Sequence, residues 1–230
     1  MAVEQSCVSD KRIAFEDPSI LLFDKPSGMQ THGSANGFIE GAQDTVRQLR
    51  GDNWSAMHRL DRDTSGLLLF GSGRKIRAML QEQFIGRKVR KIYLAIVKGE
   101  FNSDILGIIA PLKHYPEEGR VKVETTPEAK KAASSFQVLD VMQDTFGQVA
   151  SRLKVRIYTG RTHQIRVHLS HLGNPIIGDP WYNPDPVEGQ RLLLHAHQIS
   201  FTHPITQKQV TFTSQVPEDF LINPNLVHAR

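Results

Sequence analysis

The 230-residue sequence contains one cysteine, Cys7. A single thiol can form neither an internal disulfide nor a cysteine-based zinc site, so a reducing, cytoplasmic setting is expected. No apolar run approaches the ~20 residues that a membrane-spanning helix needs. The first residues include Glu4 and Asp10 and lack the apolar core of a secretory signal. There is no Gly-x-Ser-x-Gly elbow, which removes the usual serine hydrolase. Glycine-rich dinucleotide and triphosphate loops are also absent, so no nucleotide cofactor is implied. Neither an internal repeat nor a low-complexity segment occurs.

What is present is the composition of a globular protein, with 39% hydrophobic and 23% charged residues. That length can bury one good core, or two small lobes around a cleft. The net charge of +4 favours an anionic partner.

Residues 20–23 form an apolar run closed by the turn signal Asp24-Lys25-Pro26-Ser27-Gly28. A polar, glycine-containing loop follows over 30–37, and Asp44 is expected to cap a short helix over 45–50 that Gly51 stops. Ser72 is expected to cap a longer helix over 73–84. Ile76, Met79, Leu80 and Phe84 lie on one of its faces, and Gly86 ends it. Residues 90–98 read as a strand with Ile92, Leu94 and Ile96 on one face and Lys91, Tyr93, Ala95 and Val97 on the other. Residues 102–129 read as irregular apart from a short strand at 121–123. Further strands are expected at 132–142, 149–158, 192–195, 198–202 and 209–213, and a helix from about Thr162 to Gly173. Strands outnumber helices and antiparallel-looking neighbours prevail. The fold class is therefore α+β, one large, mostly antiparallel mixed sheet flanked by helices and loops around a central cleft.

Chemistry-bearing residues are concentrated in a few places. The stretch Met57-His58-Arg59-Leu60-Asp61-Arg62-Asp63-Thr64-Ser65-Gly66 runs directly into the apolar segment 67–70. It is either a polar turn with a surface Arg–Asp pair, or an anion and cations fixed at a rigid strand edge. Over 74–91, Arg74, Lys75, Arg77, Arg87, Lys88, Arg90 and Lys91 are opposed only by Glu82, a one-sided run suited to phosphates. Arg152, Lys154 and Arg156 share one strand face, as a solvated surface or as part of the same footprint. The helix start beside Arg161 is a further anion site.

Ten histidines raise the question of a metal. His163 and His168 miss the i, i+4 spacing of a helical zinc pair, no Glu follows the first of them, and His195 and His197 are read on opposite faces of a strand. No metal ligand is assigned. Asp61 among arginines, Tyr93 beside Lys91 and a basic groove suit an enzyme that works on a single RNA base, with the carboxylate acting at an anomeric carbon. The competing readings are a non-catalytic RNA-binding module of the same fold, which needs the basic surface alone, and a metal-dependent hydrolase.

These motifs resemble the RluA-type pseudouridine synthases of the RluA/RsuA family. His58-Arg59-Leu60-Asp61 with Thr64-Ser65-Gly66 matches the family signature, and Lys25-Pro26-Ser27-Gly28 with His32 looks like its first motif. Lys91-Ile92-Tyr93 looks like its Lys-x-Tyr segment, and Gly160-Arg161-Thr162-His163-Gln164-Ile165-Arg166 matches its Gly-Arg-x-His-Gln-Ile-Arg element. Leu194-His195-Ala196 before Phe201 and His203-Pro204 looks like its last core motif, while Asn174 stands where many relatives have His. The resemblance implies isomerisation of uridine to pseudouridine in structured RNA, 23S rRNA and/or tRNA, by a monomer without metal or cofactor. Asp61 would be the catalytic aspartate, Arg166 its buried orienting partner, and Tyr93 the ring stacked on the target base. His58, Arg59, Arg62, Lys91, Arg161 and His163 form the expected RNA contacts. On this reading residues 1–12 are an N-terminal extension, 13–220 the catalytic domain and 221–230 a tail. Larger relatives carry an N-terminal S4 RNA-binding domain; here target choice is expected from the domain's own surface, the 74–91 span included.

Overall fold

The computed structural model describes residues 10–34, 39–143, 148–186 and 189–220. Cys7, the rest of segment 1–9, positions 35–37 of the polar loop and the 221–230 tail lie outside the described residues. In chain order the elements are β1 (Ile13–Glu16), β2 (Ile20–Lys25), α1 (Ala42–Arg50), β3 (Trp54–Ala56), β4 (Ser65–Ser72), α2 (Gly73–Ile85), β5 (Arg90–Lys98) and β6 (Gly107–Ile109). They continue with β7 (Leu112–Tyr115), β8 (Arg120–Val123), β9 (Ala133–Gln143), β10 (Val149–Ile157), α3 (Gln164–His171), β11 (Leu194–Thr202) and β12 (Gln209–Thr213).

Ten strands make one sheet in the order β1-β2-β4-β11-β5-β10-β9-β6, with β12 on β11 and β3 on β4; β7 and β8 pair separately. This is the α+β, largely antiparallel architecture expected from the sequence. Continuous apolar runs in β2 and β4 have a direct cause: both faces of these strands are covered. Leu67 and Leu69 pack with Ile20, Leu22 and Leu80 of α2, whereas Leu68 and Phe70 pack with Leu21, Phe23 and Val46 of α1. At the far side β9 buries Ser134 and Phe136 in its first half and then alternates between partly buried and exposed residues, as a one-sided strand does. No helix among the described residues is long and apolar enough to cross a membrane.

The edges of β4 place the site. One edge is filled by β2, and the other is divided. β3 pairs with its C-terminal half through Trp54, Ser55 and Ala56, while β11 pairs with its first two residues, and that junction is parallel. The connection 57–64 must therefore leave the sheet where β3 ends and β11 begins, at the mouth of the cleft.

Several local expectations are revised. Asp44 lies inside α1, where its carboxylate accepts the Gly41 and Gly33 N–H groups at 2.9 and 3.0 Å. Ser72 precedes α2 without capping it; its hydroxyl accepts from Asn53 Nδ2 at 3.3 Å. β6 and β7 form within the stretch read as irregular, because each has a partner strand that local sequence does not disclose. The two strands expected over 192–202 are one, with an irregularity in its pairing to β5 between His195 and Gln198. His195 and His197 are not on opposite faces: residues two apart on a strand share a face, and their rings lie 6.1 Å apart.

Gly66, at the parallel junction, has φ +108, and a Cβ there would sit 2.4 Å from the Ala196 carbonyl oxygen. Only glycine meets both constraints. Gly66→Ala should destabilise the fold by about 2–4 kcal/mol. A thermal melt with an unchanged midpoint would contradict this account of the junction.

Candidate active site

The connection 57–64 is held from beneath by the turn that ends β2. Leu60 is buried, and its backbone N–H and carbonyl both bond the Thr31 hydroxyl, at 3.0 and 2.8 Å. Lys25 has no exposed surface; its ammonium donates to the carbonyls of Pro26, Met29 and Arg62 at 3.0, 2.7 and 2.9 Å. Burial pushes its pKa down to about 8, against the pull of Asp63 and Asp61. Ser27 donates to the Asp63 carbonyl at 2.8 Å, and the Thr64 N–H to the Asp61 carbonyl at 3.1 Å. A turn this fully bonded presents Asp61 on a rigid edge, its side chain 19% exposed.

Opposite it, the first turn of α3 supplies Arg166. Its Nη1 lies 3.4 Å from Asp61 Oδ2, a long contact. The short bonds go elsewhere: Nε to Asp179 Oδ2 at 2.7 Å and Nη2 to Asp179 Oδ1 at 2.8 Å. Asp179 is wholly buried and also accepts the N–H groups of Trp181 and Tyr182 at 2.9 and 3.1 Å. The guanidinium lies 5.3 Å from the Trp181 ring centroid and 5.1 Å from that of Tyr182. Burial opposes its charge, but Asp179 and Asp61 more than offset that, and its pKa is raised. Asp179, Trp181 and Tyr182 are not among the candidate residues that the sequence singled out. An acid in a Gly-x-Pro turn followed by two aromatics was the available signal.

His163, just before α3, has φ +53, a left-handed conformation rare outside glycine. The Val121 N–H donates to Tyr182 Oη at 2.9 Å, and that oxygen lies 2.8 Å from His163 Nδ1. Burial raises the Tyr182 pKa, so the phenol keeps its proton. On the other side of the ring, His163 Nε2 lies 3.8 Å from Asp61 Oδ2. Burial also lowers the His163 pKa, against the opposing pull of Asp61, which favours the neutral ring.

Asp61, Tyr93, Lys91, Arg161 and Arg166 meet around one cavity of about 340 Å³. Tyr93 is buried in β5, and burial together with the charge of Asp61 keeps its phenol protonated. Lys91 has no carboxylate partner among the described residues, and burial pushes its pKa down to about 8. Arg59 is exposed at the rim, with no ion pair or hydrogen bond to its guanidinium among the described residues. Arg62 is already paired with Asp63 at 2.9 Å, and Arg161 Nε donates to the Lys131 carbonyl at 3.2 Å.

His58 does not offer the cation expected of a phosphate contact. Its Nε2 accepts the Leu69 N–H at 3.2 Å, its ring packs on Phe84, and burial lowers its pKa to about 3. The expected anion site at the start of α3 is partly filled, since the Arg161 N–H is taken by Gln164 Oε1 at 3.1 Å. Arg152 pairs with Asp140, so the three bases of β10 do not act as one patch. Asn174 donates to the Lys98 carbonyl at 2.9 Å and tethers the turn after α3 to β5.

A model of the RNA pseudouridylate synthase family matches residues 19–171. The chain belongs to this family, as its RluA-type motifs indicate. It is 35% identical over 215 residues to ribosomal large subunit pseudouridine synthase C of Haemophilus ducreyi, covering 89% of this chain and 65% of that protein. It is 37% identical to the protein of the same name from Pasteurella multocida, of which it covers 62%. The chain thus spans somewhat less than two thirds of these relatives. Among solved structures, human RNA pseudouridylate synthase domain containing 1 superposes with a TM-score of 0.74 at 25% identity, covering 89% of this chain and 83% of that one.

Asp179→Asn would keep an oxygen for the Trp181 and Tyr182 N–H groups but leave the Arg166 charge buried without its counter-ion. A loss of about 3–5 kcal/mol in stability is expected. Asp179→Leu combined with Arg166→Met should be more stable than either single variant. Additive losses in denaturant titrations would show that the two side chains are not energetically coupled.

Proposed function

We propose that this chain is an RNA pseudouridine synthase that isomerises uridine in structured RNA, ribosomal large-subunit RNA and/or tRNA, with Asp61 as the reacting carboxylate. The observation that carries this reading is the Asp61 carboxylate, fixed at the wall of a basic cavity between Arg166 and the Tyr93 side chain. A cavity of about 340 Å³ admits one nucleoside but no duplex, so the target base is taken out of its stack. Tyr93 supplies a flat apolar wall for the pyrimidine. Arg166 directs Asp61 towards the sugar and base, and is itself prevented from moving by Asp179.

The chemistry balances without a co-reactant. The N1–C1′ bond breaks, the freed uracil turns within the cavity, and C5 bonds to C1′. The C5 hydrogen leaves as a proton and N1 gains one. Enclosure by Tyr93, Ile157 and Leu194 retains the detached base while it turns. Lys91 and Arg59 neutralise phosphate charge at the rim.

Uridine tritiated at C5 in rRNA and tRNA transcripts should release its label with the protein present. Asp61→Asn should slow release by about 1,000-fold or more, whereas Tyr93→Phe, which keeps the ring, should cost far less than Tyr93→Ala. Release unaffected by Asp61→Asn would overturn the assignment. No release from any such RNA would favour the non-catalytic module.

A pH dependence follows from Lys91, whose pKa burial lowers from 10.5 to about 8. Its charge is present at pH 7 and lost as pH rises through about 8, so RNA affinity should fall between pH 7 and 9. Lys91→Arg, charged throughout, should flatten that fall. Folding stability runs the other way: between about 8 and 10.5 the unfolded chain holds more protons on Lys91 than the folded one, so this lysine's contribution rises with pH. Anisotropy of a labelled rRNA fragment reads the affinity, and an identical pH course in Lys91→Arg would remove Lys91 from the phosphate contacts.

A further inference from the structure

A second cavity, of about 450 Å³, lies beyond Asp61 from the first. The two share Arg59, Leu60, Asp61, His163 and Arg166 as a common wall, so whatever occupies one is next to whatever occupies the other. The second is bordered on its outer side by His32, Arg62 and Trp181. Trp181 is unusual for an indole in being 44% exposed, while the other tryptophan, Trp54, is 7% exposed in the core.

That exposed ring is held firmly. Its backbone N–H is bound by Asp179, its ring is 5.3 Å from the Arg166 guanidinium, and His163 meets it edge-on at 5.0 Å and 67°. A fixed aromatic surface loses little conformational freedom when a flat partner covers it. Cations stand beside it, of which Arg59 has no partner among the described residues. A clamped, half-exposed indole next to an unpaired arginine is suited to a nucleobase and its phosphate.

We infer that Trp181 is the stacking platform for the nucleotide adjoining the target uridine on the same strand, with Arg59 on the phosphate between the two. This rests on the synthase reading above and extends it: two neighbouring bases are splayed to either side of Asp61, one into each cavity. Stacking on an indole tolerates any base, so the subsite adds affinity for unpaired RNA and little sequence preference. RNA whose neighbouring residue is locked in a duplex is the poorer substrate.

The test uses the intact protein and its Trp181→Phe variant, with a single-stranded uridine nonamer as probe and inorganic tripolyphosphate as control. Indole emission should be quenched saturably by the nonamer in the native protein, hardly at all in Trp181→Phe, and not by tripolyphosphate. In the tritium assay Trp181→Ala should raise KM about tenfold, by more than it lowers kcat, and Trp181→Phe should restore most of the loss. Absence of quenching in a preparation that still releases tritium would overturn the subsite and leave the synthase reading standing. Equal quenching in Trp181→Phe, or by tripolyphosphate, would overturn it too. A fall in kcat with KM unchanged would assign Trp181 to supporting Arg166 instead. Failure of both quenching and tritium release would count against both readings.

Discussion

The buried pair of Arg166 and Asp179 is the constraint on which the site depends. Removing both charges from water is costly, and the cost is offset by two short guanidinium bonds to Asp179, whose carboxylate also accepts two backbone N–H groups. Asp179 binds two guanidinium nitrogens and two backbone N–H groups; Arg166 keeps one nitrogen, Nη1, directed at Asp61. The guanidinium cannot turn towards Asp61 without abandoning Asp179. Asp61 therefore faces a cation whose position is set from behind, and is not locked into a tight ion pair of its own.

The same turn organises the neighbouring groups. By binding the Trp181 and Tyr182 N–H groups, Asp179 places both rings against Arg166, and the Tyr182 hydroxyl in turn holds the His163 ring through Nδ1. On the other side the 57–64 connection is anchored by Lys25, a buried ammonium that gathers three carbonyls from two segments. The two supports come from residues far apart in sequence and meet because β11 joins β4 in parallel for two residues and then diverges. Of the many basic side chains, few are free to act. Arg62, Arg152 and Arg161 are engaged with protein partners, while Lys91 and Arg59 line the cleft with no carboxylate partner among the described residues.

Much of the fold was legible because burial on both faces leaves a local mark. The run 67–70 and the Ile20–Phe23 segment are continuously apolar, and α2 carries its stripe of Ile76, Leu80 and Phe84. Strands β6 and β7 left no such mark, since they are short, bury only Leu112 fully, and exist through pairing with β9 and β8. Asp44 does help cap α1, but from its third position, reaching back to the N–H of the N-cap residue Gly41, whereas the Ser72 hydroxyl is taken by Asn53 instead of the helix. Residue type marked the helix start in both cases, and the exact position and the neighbouring donors decided the bond.

Sequence alone determined the chemical inventory: an aspartate in a His-Arg-Leu-Asp turn, a Lys-x-Tyr strand, an arginine in a Gly-Arg-x-His-Gln-Ile-Arg helix start, and the family these motifs belong to. Those features are local and survive being read one segment at a time. Tertiary structure alone decided which partner each charge would have. It gave Arg166 to Asp179 before Asp61, turned His58 into a neutral wall, and left Lys91 without a carboxylate partner among the described residues. Ion pairing and desolvation depend on distances of a few ångströms between segments separated by tens of residues, and only the closed sheet sets those distances.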